Sequence, residues 1–271
     1  MTLPVPDTIR AADGAEAQIY AQGAHLIRWR SASGAEPLFL SQRSAFTAGT
    51  AIRGGVPVIF PQFAAEGPLT KHGFARTAVW QRQPDNEPGA ACWQLRDSAA
   101  TRAAWPHAFW CELRLRIGGE RLDVALSVHN PGDQALRFTA ALHTYLRVDD
   151  IGAARLHGLQ QHRYRDSAHG GIERVDADES LAIVGEVDRI YFDTPAALRL
   201  SQPGGALRIE QQGFCDTVVW NPGPAKGAAL ADLEPDGDRH LLCVEAAVVG
   251  RPVSLAPGAH WQGSQTLIIG G

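Results

Sequence analysis

Cysteine is scarce in this chain of 271 residues, and no two cysteines are spaced as a pair. The four are Cys92, Cys111, Cys215 and Cys243, each beside apolar or aromatic neighbours. Without a Cys-x-x-Cys pattern, this distribution favours buried free thiols over disulfides. Free thiols are typical of a reducing compartment, so the sequence predicts a cytoplasmic protein.

Long apolar runs are missing as well. No segment approaches the roughly 18 apolar residues that a membrane helix needs, and residues 1–7 carry neither the basic nor the apolar region of a secretory signal. The formal net charge of −4 offers no general attraction to nucleic acids or anionic membranes. These absences argue against a membrane protein and a nucleic-acid-binding protein. Any anionic ligand must be held by a local cluster of positive charge.

Helical periodicity is almost absent, and short alternating segments with frequent glycine and proline take its place. Period-two segments flank Gly118-Gly119-Glu120, which predicts a β-hairpin. A short helix is expected at 98–104, with Asp97 as its N-cap and Pro106 closing it. Many short strands indicate an all-β sandwich, and no linker divides the chain, so we expect a single domain over 1–271. The predicted strands are 113–117, 122–128, 137–148, 197–200, 206–211, 217–220, 241–249 and 266–269.

Polar side chains share one face of the predicted strand 137–148. Because side chains alternate across a strand, His143, Tyr145 and Arg147 lie opposite an apolar face. Either these residues form the wall of a cleft or they form a solvated face, and the segment alone leaves both interpretations open.

Glu245 stands alone in the near-continuously apolar segment 241–249, which is typical of a strand buried on both faces. A buried carboxylate without a partner is costly. Glu245 is therefore either a hydrogen-bonded structural residue or a group whose pKa is raised by desolvation. We favour the second interpretation, because a raised carboxylate pKa suits a general base near neutral pH.

Cationic side chains cluster around a loop rich in glycine and proline. Segment 52–63 contains Gly54-Gly55 and two prolines, which predicts an irregular backbone that approaches a ligand closely. The cationic or donor side chains near it are those of Arg53, Lys71, His72 and Arg76. Arginine and lysine together suit a phosphate or carboxylate, so an anion site is expected here.

Two weaker signals lie farther along the chain. Asp188 precedes the aromatic Tyr191 in a position to bind sugar hydroxyls, and Trp220 precedes the rigid turn Asn221-Pro222. Tryptophan suits a carbohydrate platform, but it is also common in protein cores.

Taken in order, these motifs resemble those of hexose-6-phosphate mutarotases (glucose-6-phosphate 1-epimerases), within the aldose 1-epimerase superfamily. The resemblance rests on RGGVP at 53–57, FPQF at 60–63, HGFAR at 72–76, LHTYL at 142–146, DRIY at 188–191, WNP at 220–222 and CVE at 243–245. It spans roughly residues 53–263 and implies a large antiparallel β supersandwich, the galactose-mutarotase-like fold.

The resemblance also implies roles for single residues. His143 becomes the general acid and Glu245 the general base, while Arg53, Arg76 and Asp188 bind substrate, with the arginines directed at phosphate. In the broader aldose epimerase group the histidine that matches His72 contacts the sugar. This chain departs from the common pattern at Lys71, where many members have glutamine, and at Ala64, where glycine is common. Lys71 strengthens the positive site and puts the preferred sugar phosphate in doubt.

The expected reaction is anomer interconversion by acid–base ring opening, with Glu245 charged and His143 cationic. If the two lie close together, their attraction raises the pKa of the histidine and lowers that of the glutamate. The sequence has no His-x-His or His-Glu-x-x-His spacing, so we expect no metal and no cofactor. Two alternatives stay open: a mutarotase for unphosphorylated aldoses, and a non-catalytic carbohydrate-binding domain. The expected partner is a small sugar phosphate, and the expected state is a monomer.

Overall fold

The protein is built almost entirely of β-strands. The computed structural model describes residues 1–85 and 87–270. In chain order the strands β1 to β20 span Asp7–Arg10, Glu16–Tyr20, His25–Arg30, Val58–Ile59, Gln81–Gln83, Ala90–Arg96, Trp110–Gly118, Arg121–His129, Leu136–Leu142, Tyr145–Arg147, Arg155–His157, Arg163–Asp166, Ile172–Val175, Ser180–Ala182, Val187–Tyr191, Ala197–Gln202, Gly205–Gln212, Asp216–Asn221, Leu241–Leu255 and His260–Ile269. The α-helices α1 and α2 span Ala99–Ala104 and Gly223–Ala229, and two 3₁₀ turns span Ser167–His169 and Gly237–His240.

The strands form three sheets, and every pairing between named strands is antiparallel. A small sheet has the order β1-β2-β3. An eight-stranded sheet has the order β13-β12-β15-β18-β19-β9-β4, with β10 also paired to β19. A nine-stranded sheet has the order β14-β11-β16-β17-β20-β8-β7-β6-β5. The predicted all-β antiparallel supersandwich is confirmed, with a strand at every predicted segment.

The β7–β8 hairpin shows why alternating segments become sheet. Along β8 each second residue from Leu122 to Val128 is buried, and the residues between them face outward. The turn between the strands uses Gly119 at φ 55°, a left-handed value that glycine adopts without strain. The predicted hairpin is therefore present, with each strand slightly longer than its apolar core.

A shared apolar core lies between the sheets, and β19 separates that core from the opposite side of the eight-stranded sheet. The even-numbered residues 242–248 of β19 join the main core. Leu241 and Cys243 join one small apolar cluster on the opposite face, and Ala247 and Val249 join another. Glu245 lies on that opposite face, between the two clusters.

That residues 1–271 form one domain stays a prediction.

Helix α1 begins one residue later than expected. Its N-cap is Ser98, whose Oγ accepts from the Thr101 N–H, while the Thr101 hydroxyl oxygen accepts from the Ser98 N–H. The prediction of Asp97 as N-cap was wrong because this reciprocal capping box satisfies the first turn. The Asp97 carboxylate instead pairs with Arg102.

The predicted strand 137–148 is interrupted at residues 143 and 144. β9 ends at Leu142 and β10 begins at Tyr145, because the Thr144 N–H turns back to the Leu142 carbonyl, while the His143 N–H bonds to the Pro57 carbonyl beside β4. Arg147 does not share a cleft with His143 and Tyr145. It is exposed and lines a separate hollow with Glu36.

All four cysteines are free thiols; Cys215 is half-buried and the other three are buried. In the described ranges, no helix has both the length and the apolar character to cross a membrane.

Candidate active site

Strand register brings residues distant in sequence into one row on the eight-stranded sheet. Asp188 of β15 pairs with Trp220 of β18, Trp220 pairs with Cys243 of β19, and Cys243 pairs with Tyr145 of β10. Directly paired residues on neighbouring strands lie on the same face of a sheet. One acid and two aromatic side chains thus lie side by side on the face away from the main core.

The next row on this face carries the predicted acid–base pair. Two residues along each strand, Ile190 pairs with Val218 and Val218 pairs with Glu245. His143 lies beside Glu245, in the gap between β9 and β10. Its imidazole stacks on the Tyr145 ring, with centroids 4.8 Å apart and planes 7° apart. This packing holds the histidine ring flat against the first row.

The glycine-rich loop at 52–63 lies close to other backbone at Gly54 and Gly55. Gly54 has φ 124°, and a Cβ there would meet Leu40 Cα and Phe39 O at 2.5 Å. Gly55 has φ 62°, and a Cβ there would meet Leu26 O at 2.0 Å. These glycines let the chain pack between its neighbours, and the close approach of this loop to a ligand stays a prediction.

A second loop, residues 62–73, forms another wall and is tied to the buried Gln62 side chain. The Gln62 amide donates to the carbonyls of Ala64 and Leu69 and accepts from the Leu69 N–H. The His72 N–H donates to the Ala64 carbonyl at 2.8 Å, while the Ala64 N–H donates to His72 Nδ1 at 3.3 Å. Because Nδ1 accepts, the proton of a neutral His72 ring lies on Nε2.

These walls and the sheet enclose a cavity of about 270 Å³. This volume is close to the lower end of the range for small-molecule sites, roughly 300 Å³. All eight residues predicted from the sequence line it: Arg53, Lys71, His72, Arg76, His143, Asp188, Trp220 and Glu245. Their common location is a structural observation, while their individual roles stay predictions.

Glu245 and His143 form a close, buried pair. Glu245 Oε1 lies 3.3 Å from His143 Nδ1, and the two side chains are 1% and 11% exposed. The angle is not that of a hydrogen bond, and neither His143 Nδ1 nor Glu245 Oε2 has a hydrogen-bond partner among the described residues. Two buried polar groups without partners are unusual, and such groups are typical of a site that exchanges protons.

Burial favours the neutral form of both groups. Desolvation, helped by the charge of Asp188, raises the pKa of Glu245 well above its usual value. Desolvation, helped by His72 and Arg76, lowers the pKa of His143 well below its usual value. The expectation that mutual attraction shifts both pKa values the other way was wrong, because the loss of hydration outweighs the attraction. A glutamic acid beside a neutral imidazole holds the same number of protons as a carboxylate beside an imidazolium.

His72 is also neutral. Burial and the nearby Arg76 lower its pKa to about 3. Its ring lies 5.6 Å from that of His143, centroid to centroid. A neutral ring with its proton on Nε2 can donate one hydrogen bond to a ligand without adding charge beside His143.

Positive charge surrounds the cavity, and two of its four cations carry carboxylate partners. Arg53 Nη2 bonds to both carboxylate oxygens of Asp232 at 3.0 Å. Lys226 Nζ lies 2.7 Å from Glu186 Oε1. Lys71 has no ion-pair partner within 1–85 and 87–270, and Arg76 donates to the Lys71 backbone carbonyl instead of a carboxylate. Two cations thus remain for an anionic ligand.

Arg53 is also held by aromatic side chains. Its Nη1 donates to the Tyr145 hydroxyl at 3.1 Å, and its guanidinium carbon lies 5.8 Å from the centroid of the Trp220 ring. Burial alone would lower the pKa of Arg53, but Tyr145 and Asp232 raise it overall. Arg53 is therefore a fixed, permanently charged part of the wall.

Asp188 completes the polar lining. Desolvation raises its pKa, with the cations Lys226 and Lys71 opposing the shift. Its carboxyl group can accept hydrogen bonds from hydroxyl groups of a ligand, as predicted for a sugar.

Two polar residues that line the cavity, Tyr145 and Lys226, were not assigned to the site from the sequence, and neither was Asp232, the partner of Arg53. Tyr145 was placed on the correct face of its strand but given no role. The signal for Lys226 was composition: the chain contains only two lysines, Lys71 and Lys226, and both line this cavity. No local sequence pattern indicates a role for Asp232, because its partner Arg53 is 179 residues away in the chain.

Among the residues that the structure describes, no group of three or more histidine, cysteine or acidic side chains is placed to hold a metal ion. The cavity instead offers an acid–base pair, hydrogen-bonding groups and cations. That combination suits proton transfer on a polar, negatively charged ligand.

This chain is similar to a known enzyme family and to individual proteins of known sequence. The family model described as aldose 1-epimerase matches residues 7–267. A protein of Cenchrus ciliaris named "Putative glucose-6-phosphate 1-epimerase" is 32% identical over 270 residues, covering 94% of this chain and 82% of the relative. A protein of the same name from Escherichia coli K12 is 34% identical over 233 residues, covering 83% and 77%.

A solved structure has the same fold over its full length. The crystal structure titled as a "putative mutarotase (YeaD)" from Salmonella typhimurium superposes with a TM-score of 0.90 at 28% identity. The superposition covers 99% of this chain and 97% of that one. With the family model matched over most of its length and relatives above 30% identity, this chain belongs to the aldose 1-epimerase family.

Proposed function

We propose that this protein interconverts the α and β anomers of a hexose 6-phosphate, with glucose 6-phosphate as the first candidate. The observation that carries the proposal is the buried Glu245–His143 pair inside a cavity surrounded by four cations. A sugar phosphate needs both features, because its ring must exchange protons while its phosphate must be neutralised. The names of the relatives from Cenchrus ciliaris and Escherichia coli support the same substrate.

Ring opening needs one proton removed and one proton supplied. In this mechanism Glu245 takes the proton of the C1 hydroxyl while His143 protonates the ring oxygen. The C1–O5 bond breaks and gives the open-chain aldehyde, which rotates about C1–C2. Closure on the other face of the carbonyl returns both protons and leaves the opposite anomer.

The neutral pair of the ligand-free protein can enter this mechanism without exchange with solvent. Transfer of one proton from Glu245 to His143, across the 3.3 Å that separates Oε1 and Nδ1, gives the charged pair. A bound phosphate dianion nearby stabilises the imidazolium, because opposite charges favour the charged form. Substrate binding thus favours the protonation state that ring opening requires.

The phosphate group is assigned to the cationic side of the cavity. Lys71 and Arg76 supply two positive charges without carboxylate partners, which matches the charge of a phosphate near neutral pH, about −2. Arg53 adds a third cation fixed by Tyr145. Asp188, His72 and Trp220 are left for the sugar ring and its hydroxyl groups.

An aldose without phosphate remains the second candidate, because the matching family model is that of aldose 1-epimerases in general. The non-catalytic alternative is less suited to the site: binding alone does not require two adjacent buried groups without hydrogen-bond partners.

The test is anomer exchange followed by NMR saturation transfer on glucose 6-phosphate and on glucose. We expect exchange well above the spontaneous rate for glucose 6-phosphate, little for glucose, and loss of exchange in Glu245→Gln. Faster exchange of glucose would favour the unphosphorylated substrate. Spontaneous rates for a panel of phosphorylated and free aldoses would favour the binding domain.

We further propose that the protein acts as a monomer in the cytoplasm. The four free thiols support a reducing compartment. Light scattering on the purified protein measures the mass directly, and a dimer mass would contradict the monomer.

A further inference from the structure

Arg53 is held from two sides by groups of different kinds. The Tyr145 hydroxyl accepts from Nη1, and both Asp232 oxygens accept from Nη2. Tyr145 is a neutral, buried residue of β10, whereas Asp232 is an acidic residue that follows helix α2 and lies against Arg53. An anionic group thus occupies one edge of the guanidinium in the ligand-free protein.

The two partners of this ion pair differ in their freedom to move. The Arg53 side chain is 20% exposed, and the Asp232 side chain is 37% exposed. Arg53 lies against the Trp220 ring and is bonded to Tyr145, so its guanidinium has little room. Asp232 has a path to water, and exposed ion pairs contribute only about 0–1 kcal/mol. The carboxylate can therefore leave at small cost while Arg53 stays in place.

The segment that carries Asp232 is itself anchored, so only the side chain needs to move. Leu233 is buried with Phe39 and Tyr145 in one of the small clusters. The Glu234 carboxylate accepts from the Ser41 hydroxyl at 2.5 Å and from the Gln42 N–H at 3.2 Å. Asp232 thus lies between fixed neighbours and is held beside Arg53 whenever no other anion is present.

We propose that Asp232 lowers the affinity of the site for anions, and for weakly charged anions most of all, by competing with the ligand's anionic group for Arg53. A neutral sugar offers no charge to replace the carboxylate, so it leaves the Arg53–Asp232 pair closed. A phosphate carries more negative charge and more acceptor oxygens than one carboxylate, so it displaces Asp232 and takes the same edge of Arg53. This inference rests on the proposed function, because it assigns Arg53 to the phosphate of the substrate.

Arg76 is a cation of the same site for which a bound anion has no carboxylate competitor among the described residues. Its Nη2 donates to the neutral Lys71 backbone carbonyl, and no carboxylate is paired with it in the described residues. An anion can bind beside Arg76 without displacing another charge. Arg53 therefore adds discrimination among anions to a site whose basic attraction comes from Arg76 and Lys71.

Direct binding of inorganic phosphate, measured by titration calorimetry at fixed ionic strength, tests this inference. Asp232→Asn keeps an acceptor oxygen for Arg53 but removes the charge. We expect it to bind phosphate roughly three- to tenfold more tightly than the wild type, the scale of a partly exposed ion pair. Asp236→Asn is the matched control: it makes the same charge change four residues along the chain, at an exposed residue that is not bonded to Arg53. We expect its affinity to stay within about twofold of the wild type.

The same substitution in an Arg53→Met variant shows whether the change in phosphate affinity depends on Arg53. In Arg53→Met, adding Asp232→Asn is expected to leave phosphate affinity unchanged, because no cation remains for which the two anions compete. Unfolding temperatures of all variants confirm that the fold is retained. If Asp232→Asn binds phosphate as the wild type does, or more weakly, the competition is refuted.

The outcome can be separated from that of the proposed function. A wild-type protein that binds phosphate and is tightened by Asp232→Asn, but does not speed anomer exchange, supports the competition and contradicts the enzyme. A wild-type protein that binds neither phosphate nor glucose 6-phosphate contradicts both. In an active enzyme, Asp232→Asn lowers the KM for glucose 6-phosphate by the same factor and leaves the KM for glucose unchanged.

Discussion

Charged side chains differ in solvent exposure and in pairing between the two large sheets. On the outward face of the nine-stranded sheet, charged residues are partly exposed and paired along a strand, as Arg121 is with Asp123 and Arg208 with Glu210. On the eight-stranded sheet, residues 241–249 are buried on both faces, and Glu245 is almost completely desolvated. The first sheet follows the usual alternation of buried and solvated faces, and the second does not.

This difference locates the chemistry. A charge in contact with water keeps nearly its ordinary properties, whereas desolvation changes the protonation of a group and the strength of its interactions. The outer face of the nine-stranded sheet can therefore be substituted with small consequences. The same substitutions on the site face of the eight-stranded sheet are expected to change activity, pH dependence or ligand affinity.

Equivalent histidine substitutions on the two sheets should give the largest contrast. His143→Asn removes the proposed acid, so we expect anomer exchange to fall by about 10²–10⁴-fold, the usual contribution of one proton transfer. His129 lies on the outward face of β8, stacked on Trp110. His129→Asn should leave exchange within about twofold of the wild type, and a matching loss there would refute the distinction between the sheets.

Removal of the buried carboxyl group should change how stability depends on pH. Because the folded-state pKa of Glu245 is raised above 4.5, the native state holds this proton more tightly than the unfolded state. This contribution weakens the wild type as pH rises above about 4.5, by up to about 1.4 kcal/mol per pH unit until the folded-state pKa is passed. Glu245→Gln should therefore be more stable than the wild type at pH 7–8, and the difference should shrink towards pH 4.5.

Urea unfolding across this pH range provides the measurement. Glu210→Gln, which breaks an exposed pair on the nine-stranded sheet, should change the free energy of unfolding by no more than about 1 kcal/mol. If the free energy of unfolding of Glu245→Gln depends on pH as that of the wild type does, burial does not shift the pKa of this carboxyl group.

Removal of one positive charge should affect affinity more than turnover. Lys71→Gln removes a cation that has no ion-pair partner among the described residues. We expect the KM for glucose 6-phosphate to rise about three- to tenfold with kcat within about twofold. Arg208→Gln on the nine-stranded sheet is the control and should leave both constants unchanged. An unchanged KM in Lys71→Gln would remove this lysine from the phosphate site.

The smallest effect concerns backbone strain in the wall of the site. Ala64 has φ 46°, a left-handed value that glycine adopts more easily. Ala64→Gly should raise the free energy of unfolding by about 0.5–1 kcal/mol. Ala125→Gly in β8 should lower it by a similar amount, because strand interiors disfavour glycine. Destabilisation at both positions, measured by thermal unfolding, would contradict strain at Ala64.

The fold and the two central residues of the site could be predicted because their signals are local. Alternation along residues 113–128 predicts the hairpin, and a lone glutamate in an apolar strand predicts a perturbed carboxyl group. The spacing of two between His143 and Tyr145 places both on one face. These arguments need only neighbouring residues and the geometry of a single strand.

The rest depended on long-range arrangement. Strand pairing places Glu245 beside His143, and no local pattern reveals that register; only the family resemblance suggested that the two meet. The pKa directions of the pair were predicted wrongly because the degree of burial depends on the whole assembly. Arg147 lies on the predicted face but outside the cavity, since it lies opposite Leu241, four residues along β19 from Glu245. Asp232 meets Arg53 only through tertiary packing.

The positions of the two lysines allow ligand binding in the cavity to be measured by chemical modification. Since Lys71 and Lys226 are the only lysines in the chain and both line the site, an amine-acylating reagent has no other side chain of this kind to modify. Besides the terminal amine, every acyl group added reports on this one location. The fraction of peptides that escape acylation at increasing phosphate concentration therefore gives a ligand occupancy by mass spectrometry, without a spectroscopic label and independently of turnover.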